Sequence, residues 1–103
     1  MSAAADNDNT PAETVTNNAS LGRYELRADG AVLGFAAYRL RHDGAVVFTH
    51  TEIDEAHEGR GLGGRLARGA LEDVQTAGRA VVPRCPFIKG YIDRHPEFQD
   101  LIR

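Results

Sequence analysis

The sequence predicts one small domain of the mixed α+β class, with element order β-β-β-α-β-α. Three observations carry that reading. The first half alternates apolar and polar residues at strand period between strong turn signals. A glycine-rich stretch, Glu58-Gly59-Arg60-Gly61-Leu62-Gly63-Gly64, then ends the alternation. Beyond it, apolar residues recur at helical spacing.

Each element follows in order. Residues 1–20 are rich in Ala, Asn, Asp and Thr without apolar periodicity, so a disordered tail is expected there, with one domain over 21–103. Residues 21–27 alternate as a first strand, and Asp29-Gly30 marks a hairpin turn. Residues 31–40 form a mostly apolar second strand. Arg41-His42-Asp43-Gly44 gives another turn. Residues 45–53, rich in β-branched types, form a third strand and complete an antiparallel meander. Leu62, Leu66, Ala67, Ala70, Leu71 and Val74 make one helical stripe that runs to about Ala77, where Gly78 stops it. Residues 79–83 read as a short buried strand. Pro86 opens a second helix to about His95, and residues 96–102 form a last helical piece.

Composition narrows the function classes. The chain has 103 residues and a net charge of −3. The first 20 residues hold Asp6, Asp8 and Glu13 without a base, and the remainder is neutral. That balance argues against a nucleic-acid partner. Eleven of the 12 bases are arginines, which suit bidentate phosphate contacts. No apolar run reaches bilayer length and the start has no secretion signal, so a cytoplasmic location without a membrane partner is expected. Cys85 is the single cysteine, and the four histidines show no metal-ligand spacing, so no metal is expected. One closed core suits a monomer, although an exposed sheet edge is able to pair.

The glycine turn joins a strand to a helix. Helix N-termini present free N–H groups and a positive dipole end, and so attract anions. Gly59, Gly61, Gly63 and Gly64 allow close backbone approach, while Arg60, Arg65 and Arg68 add charge. No Gly-Lys-Ser/Thr follows, so this is not a Walker loop, and the dinucleotide-binding spacing is missing. A glycine-rich cap without a ligand is the plain alternative.

The turn resembles motif A of the GCN5-related N-acetyltransferases (GNAT), with Gly61 and Gly63 matching and Glu58 where the motif carries Gln or Arg. His50-Thr51-Glu52-Ile53 and the segment from Cys85-Pro86-Phe87 through Tyr91-Ile92 to His95-Pro96-Glu97-Phe98 extend the likeness to the minimal single-domain members of the YjdJ and NATD1 type, over about residues 21–102. The resemblance implies a reduced GNAT fold, with acetyl-CoA as cosubstrate and Gly59, Arg60, Gly61, Leu62, Gly63 and Gly64 at its pyrophosphate. It implies transfer to an amine and leaves the acceptor, small molecule or protein, open.

Transfer to an amine requires a base, a polarised thioester and a stabilised thiolate. Glu52 is a candidate base if Ile53 packs inward, and His50 shares its face at strand period. Both are equally read as exposed sheet residues. Cys85, at a helix start near Arg84 and Lys89, is a candidate nucleophile, a wall of the thiol pocket or a core residue. Tyr91 is a candidate acid for the leaving thiolate, by the resemblance, or an aromatic anchor. His95 reads as structural, Lys89 and Arg94 as solvated or near a 3′-phosphate, and His42 and His57 as loop residues. Two rival functions stand beside the enzyme: a coenzyme A-binding module without turnover, and an interaction domain that grips another phosphate.

Overall fold

The computed structural model describes residues 13–102. Its elements are β1 (Thr14–Asn18), β2 (Arg23–Ala28), β3 (Ala31–Leu40), β4 (Val46–Ile53), α1 (Leu62–Thr76), β5 (Val81–Pro83) and α2 (Pro86–Arg94), with 3-10 turns at Glu55–His57 and Pro96–Leu101. The five strands form one sheet in the order β1-β2-β3-β4-β5. All neighbours are antiparallel except β4 and β5, which run parallel across α1. This is the expected α+β class.

α1 covers one sheet face with the stripe expected of it: Leu62, Leu66, Ala67, Ala70, Leu71 and Val74 are all buried. They meet Tyr24 and Leu26 from β2, Ala36 from β3 and Phe48 from β4. α2 joins the same core through Ile88, Tyr91 and Ile92, and Phe98 closes it. At the Asp29-Gly30 turn both residues take positive φ, the conformation a tight hairpin requires.

The expectation of a disordered tail through residue 20 is corrected in part. Residues 1–12 lie outside the described residues, but Thr14–Asn18 is a strand paired along its length with β2. Its one apolar side chain, Val15, explains why no periodicity marks it. The matching signal sits far away, at Gly69. A Cβ there would lie 2.6 Å from Val15 Cβ, so the helix thins where β1 crosses it. The first meander strand also begins two residues later than expected, because Leu21 is exposed and Gly22 turns with φ +67°.

Two bulges adjust the meander. Ala37 faces His50 while Tyr38 faces Phe48, which leaves Thr49 as an extra residue in β4. Leu33 is likewise extra in β3 opposite β2. The Thr49 bulge reverses the parity of β4. Before it, Val46 and Phe48 face the helices; after it, Ile53 packs on the core while His50 and Glu52 are exposed.

Gly69→Ala tests the docking of β1. Helix propensity alone favours alanine by about 1 kcal/mol. The collision with Val15 is expected to outweigh this and lower stability by roughly 1–3 kcal/mol in urea unfolding. A more stable variant would mean that β1 does not rest on α1.

Candidate functional site

Parallel pairing of β4 and β5 ends at Phe48 and Pro83. The Phe48 carbonyl accepts from the amides of both Arg84 and Cys85, at 3.1 and 2.9 Å. Pro86 then starts α2 at its first turn, where a missing N–H costs nothing. β4 continues to Ile53 while β5 has stopped. A cleft therefore opens along the second half of β4.

Its walls are traced by contacts. Thr51 Oγ1 lies 3.3 Å from Cys85 Sγ. Two residues on, the exposed Phe87 ring lies against Gly63, where a Cβ would meet Cζ at 2.7 Å. One turn further, Tyr91 approaches Gly64. β4, the start of α2 and the start of α1 thus border one region.

The glycines divide by role. Gly59 and Gly61 have φ of +85° and +72° with open space at the Cβ position, so conformation alone calls for glycine. Gly63 is set by space, against Phe87. Gly61 caps α1 and has no side chain to offer its amides. The first intrahelical bond is from Arg65 N to Gly61 O, so the amides of Leu62, Gly63 and Gly64 lack an intrahelical acceptor. The first turn also carries no acid. An anion fits here through backbone donors and the helix dipole.

The arginines beside the turn are already engaged. Glu13, with its side chain only 6% exposed, pairs with both Arg60 and Arg65. Arg60 also contacts His57 Nδ1 at 2.9 Å. Arg68 bonds Glu97 at 2.8 Å and lies over the Phe98 ring. Glu97, with smaller help from Tyr91 and Glu72, raises the Arg68 pKa further above the usual guanidinium range.

The other candidates separate into two faces of β4. His50 Nε2 and Glu52 Oε2 are 2.7 Å apart on the face without helices. A carboxylate partner favours the proton on Nε2, which leaves the Nδ1 lone pair available. Cys85 lies on the helix side, 3% exposed, at the first position of the α2 cap. Tyr91 is buried and its ring stacks on His95 at 3.8 Å, while His95 Nδ1 and the Tyr91 carbonyl are 2.7 Å apart. Among the described residues no hydrogen bond joins Tyr91 to Cys85, His50 or Glu52. Lys89 pairs with Asp93 at the surface.

Sequence reasoning missed Thr51, Phe87, Glu13 and the charges of the open face. Thr51 was within reach, since it shares parity with Ile53. Glu13 carried no signal. On β2, Glu25 is 2% exposed although no helix covers that face. Arg23 Nε holds one oxygen at 2.8 Å and Arg27 Nε the other at 3.2 Å, and Asn18 adds a third bond. Arg23 chiefly, with Asn18 and Arg27, holds the Glu25 carboxyl below its ordinary 4.5 against the opposing effect of burial.

The chain belongs to the GCN5-related N-acetyl-transferase family, whose model matches residues 23–101. A GCN5-like protein from Staphylococcus aureus, solved in solution by NMR, shares the fold with a TM-score of 0.65 and 17% identity over 86% of each chain. None of the curated proteins matches. Among the described residues no helix is long and apolar enough to cross a membrane.

The Glu25 cluster has a pH signature. Its folded pKa is depressed, so its contribution is complete above about pH 4.5 and is lost as pH falls through the folded value. Thermal unfolding from pH 6 to pH 3 is expected to show an acid decline that is shallower in Glu25→Gln. An unchanged slope would mean that Glu25 is not held by its arginines.

Proposed function

We propose that this chain is an N-acetyltransferase that moves the acetyl group of acetyl-CoA to a primary amine. The observation that carries the reading is the cleft beside β4, bordered by an α1 N-terminus whose first amides have no intrahelical acceptor and, among the described residues, no side-chain cap. The amides of Leu62, Gly63 and Gly64 suit the coenzyme pyrophosphate, with Gly59, Arg60 and Gly61 shaping the turn. The free edge of β4 suits the amide-bearing pantetheine arm, as an added strand would. Family membership supports acetyl transfer in general.

Chemistry then occurs at the edge of β4. The donor thioester lies on the helix side, near Thr51 and Cys85. The amine approaches from the open face, where His50 Nδ1 takes its proton and Glu52 orients and stabilises the imidazolium. The amine nitrogen attacks the carbonyl carbon, the C–N bond forms, the C–S bond breaks, and the thiolate leaves. Thr51 and Cys85 are placed to donate to that sulfur. Cys85 lines the thiol pocket and does not carry the acetyl group. Tyr91 seats α2 beneath the glycine turn through its stack on His95.

The distinguishing experiment is calorimetry with coenzyme A together with thiol release across an amine panel. Binding with release supports the enzyme; binding without release favours the coenzyme module.

Glu52→Gln and His50→Ala are expected to lower kcat roughly a hundredfold or more. Cys85→Ala is expected to lower it less than tenfold. An acetyl group trapped on Cys85 and seen by mass spectrometry would reverse that order.

Glu13→Gln frees Arg60 and Arg65 for phosphate. Its coenzyme A dissociation constant is expected to fall by roughly two- to fivefold, as pairs whose arginine ends lie in solvent are weak. Weaker binding would show that Glu13 orients the arginines instead of occupying them.

A further inference from the structure

We propose that the acceptor carries an anionic group a few bonds from its amine, and that Arg23 recognises it; the proposal rests on the acetyltransferase reading above. The open face of the sheet holds a cavity of about 290 Å³. Arg23, Gly34, Phe35, Glu52 and Asp54 are among its lining residues. Glu52 is the carboxylate that orients His50, whose Nδ1 receives the amine proton in the reading above. The cavity extends from it across β3 to β2.

Its two ends are opposite in charge. Glu52 and Asp54 make the β4 end acidic. Arg23 makes the β2 end basic, with its guanidinium carbon 4.6 Å from the centre of the Phe35 ring. Arg23 and Arg27 share the single carboxylate of Glu25, so this row keeps a net positive charge. The Glu25 carboxylate is expensive to bury. What it achieves is a guanidinium fixed in place over Phe35, since Arg23 Nε is tied at 2.8 Å. A cation held before the ligand arrives loses little freedom on binding.

The spacing selects the ligand. Glu25, Phe35 and Glu52 lie in one row across three neighbouring strands. Two interstrand steps span roughly 10 Å. The Arg23 guanidinium reaches back over the Phe35 ring, so an amine at the His50–Glu52 pair and an anion at Arg23 lie within those two steps and are joined by a short linker of about three to five atoms. A diamine or a lysine-rich peptide meets like charge at Arg23 and Arg27. An amine with a neutral tail leaves Arg23 without a partner.

The test uses three amines of matched length: γ-aminobutyrate, its amide, and putrescine. Amide NMR at Gly34 and Phe35 reads binding, and thiol release from acetyl-CoA reads turnover. The anionic-tailed amine is expected to bind and to react about tenfold better than the amide, from one charge-assisted contact, and better still than the diamine. Arg23→Gln is expected to equalise acid and amide while the KM for acetyl-CoA stays unchanged. Equal use of the three amines, preference for the diamine, or no shift at Gly34 and Phe35 with millimolar γ-aminobutyrate overturns the inference. The comparison on the unaltered protein stands even if Arg23→Gln fails to fold. Thiol release without a tail preference removes the inference and keeps the acetyltransferase reading. A tail preference in binding without any thiol release keeps the cavity and removes that reading.

Discussion

The carbonyl of Phe48 is the last backbone tie between the two parallel strands. It accepts from the amides of both Arg84 and Cys85, and beyond it β4 and β5 part. The cleft, the position of Cys85 and the start of α2 all depend on that parting. A β5 that continued to pair would close the edge of β4 and bury Thr51. Pro83 and Pro86 flank the departure, and neither offers an amide to extend the ladder. The strand ends because its chemistry forbids a further rung.

The Thr49 bulge acts at the same place. A bulge-free β4 would put His50 and Glu52 on the face of Phe48, inside the core, at the cost of burying a charged pair. One extra residue turns both outward and sets Thr51 against Cys85. The Thr51–Cys85 contact and the His50–Glu52 pair thus occupy opposite faces of one strand. Charge follows the same division. Backbone amides and arginines gather at the start of α1, while the open face holds a carboxylate end and a guanidinium end. Glu13 ties the first strand to the arginines of the glycine turn, so any anion bound there acts on the docking of β1 as well.

Much of this was legible from residue order. The stripe from Leu62 to Val74 and the Asp29-Gly30 turn follow from periodicity and φ preference, which are local properties. The likeness of the glycine turn to motif A pointed to the GCN5-related family that the chain proves to belong to. The opposition of Glu52 and Ile53 followed from strand period. What escaped reading depends on contacts distant in sequence. β1 carries a single apolar residue, and its only other mark is a glycine more than 50 residues away, at Gly69. Bulges at Thr49 and Leu33 are settled by pairing partners, and the burial of Glu25 by Arg23 and Arg27 on its own strand together with Asn18 from β1. Tyr91 shares a helix with Cys85 in sequence, but its ring belongs to the stack with His95.

The most direct test of the account is an amide NMR titration with coenzyme A on the intact chain. Binding in the cleft predicts the largest shifts at Gly59–Gly64, along residues 49–53 of β4 and at Cys85, with little change at the turn of Arg41 to Ala45. Shifts confined to that turn, or none at saturating coenzyme, would contradict it.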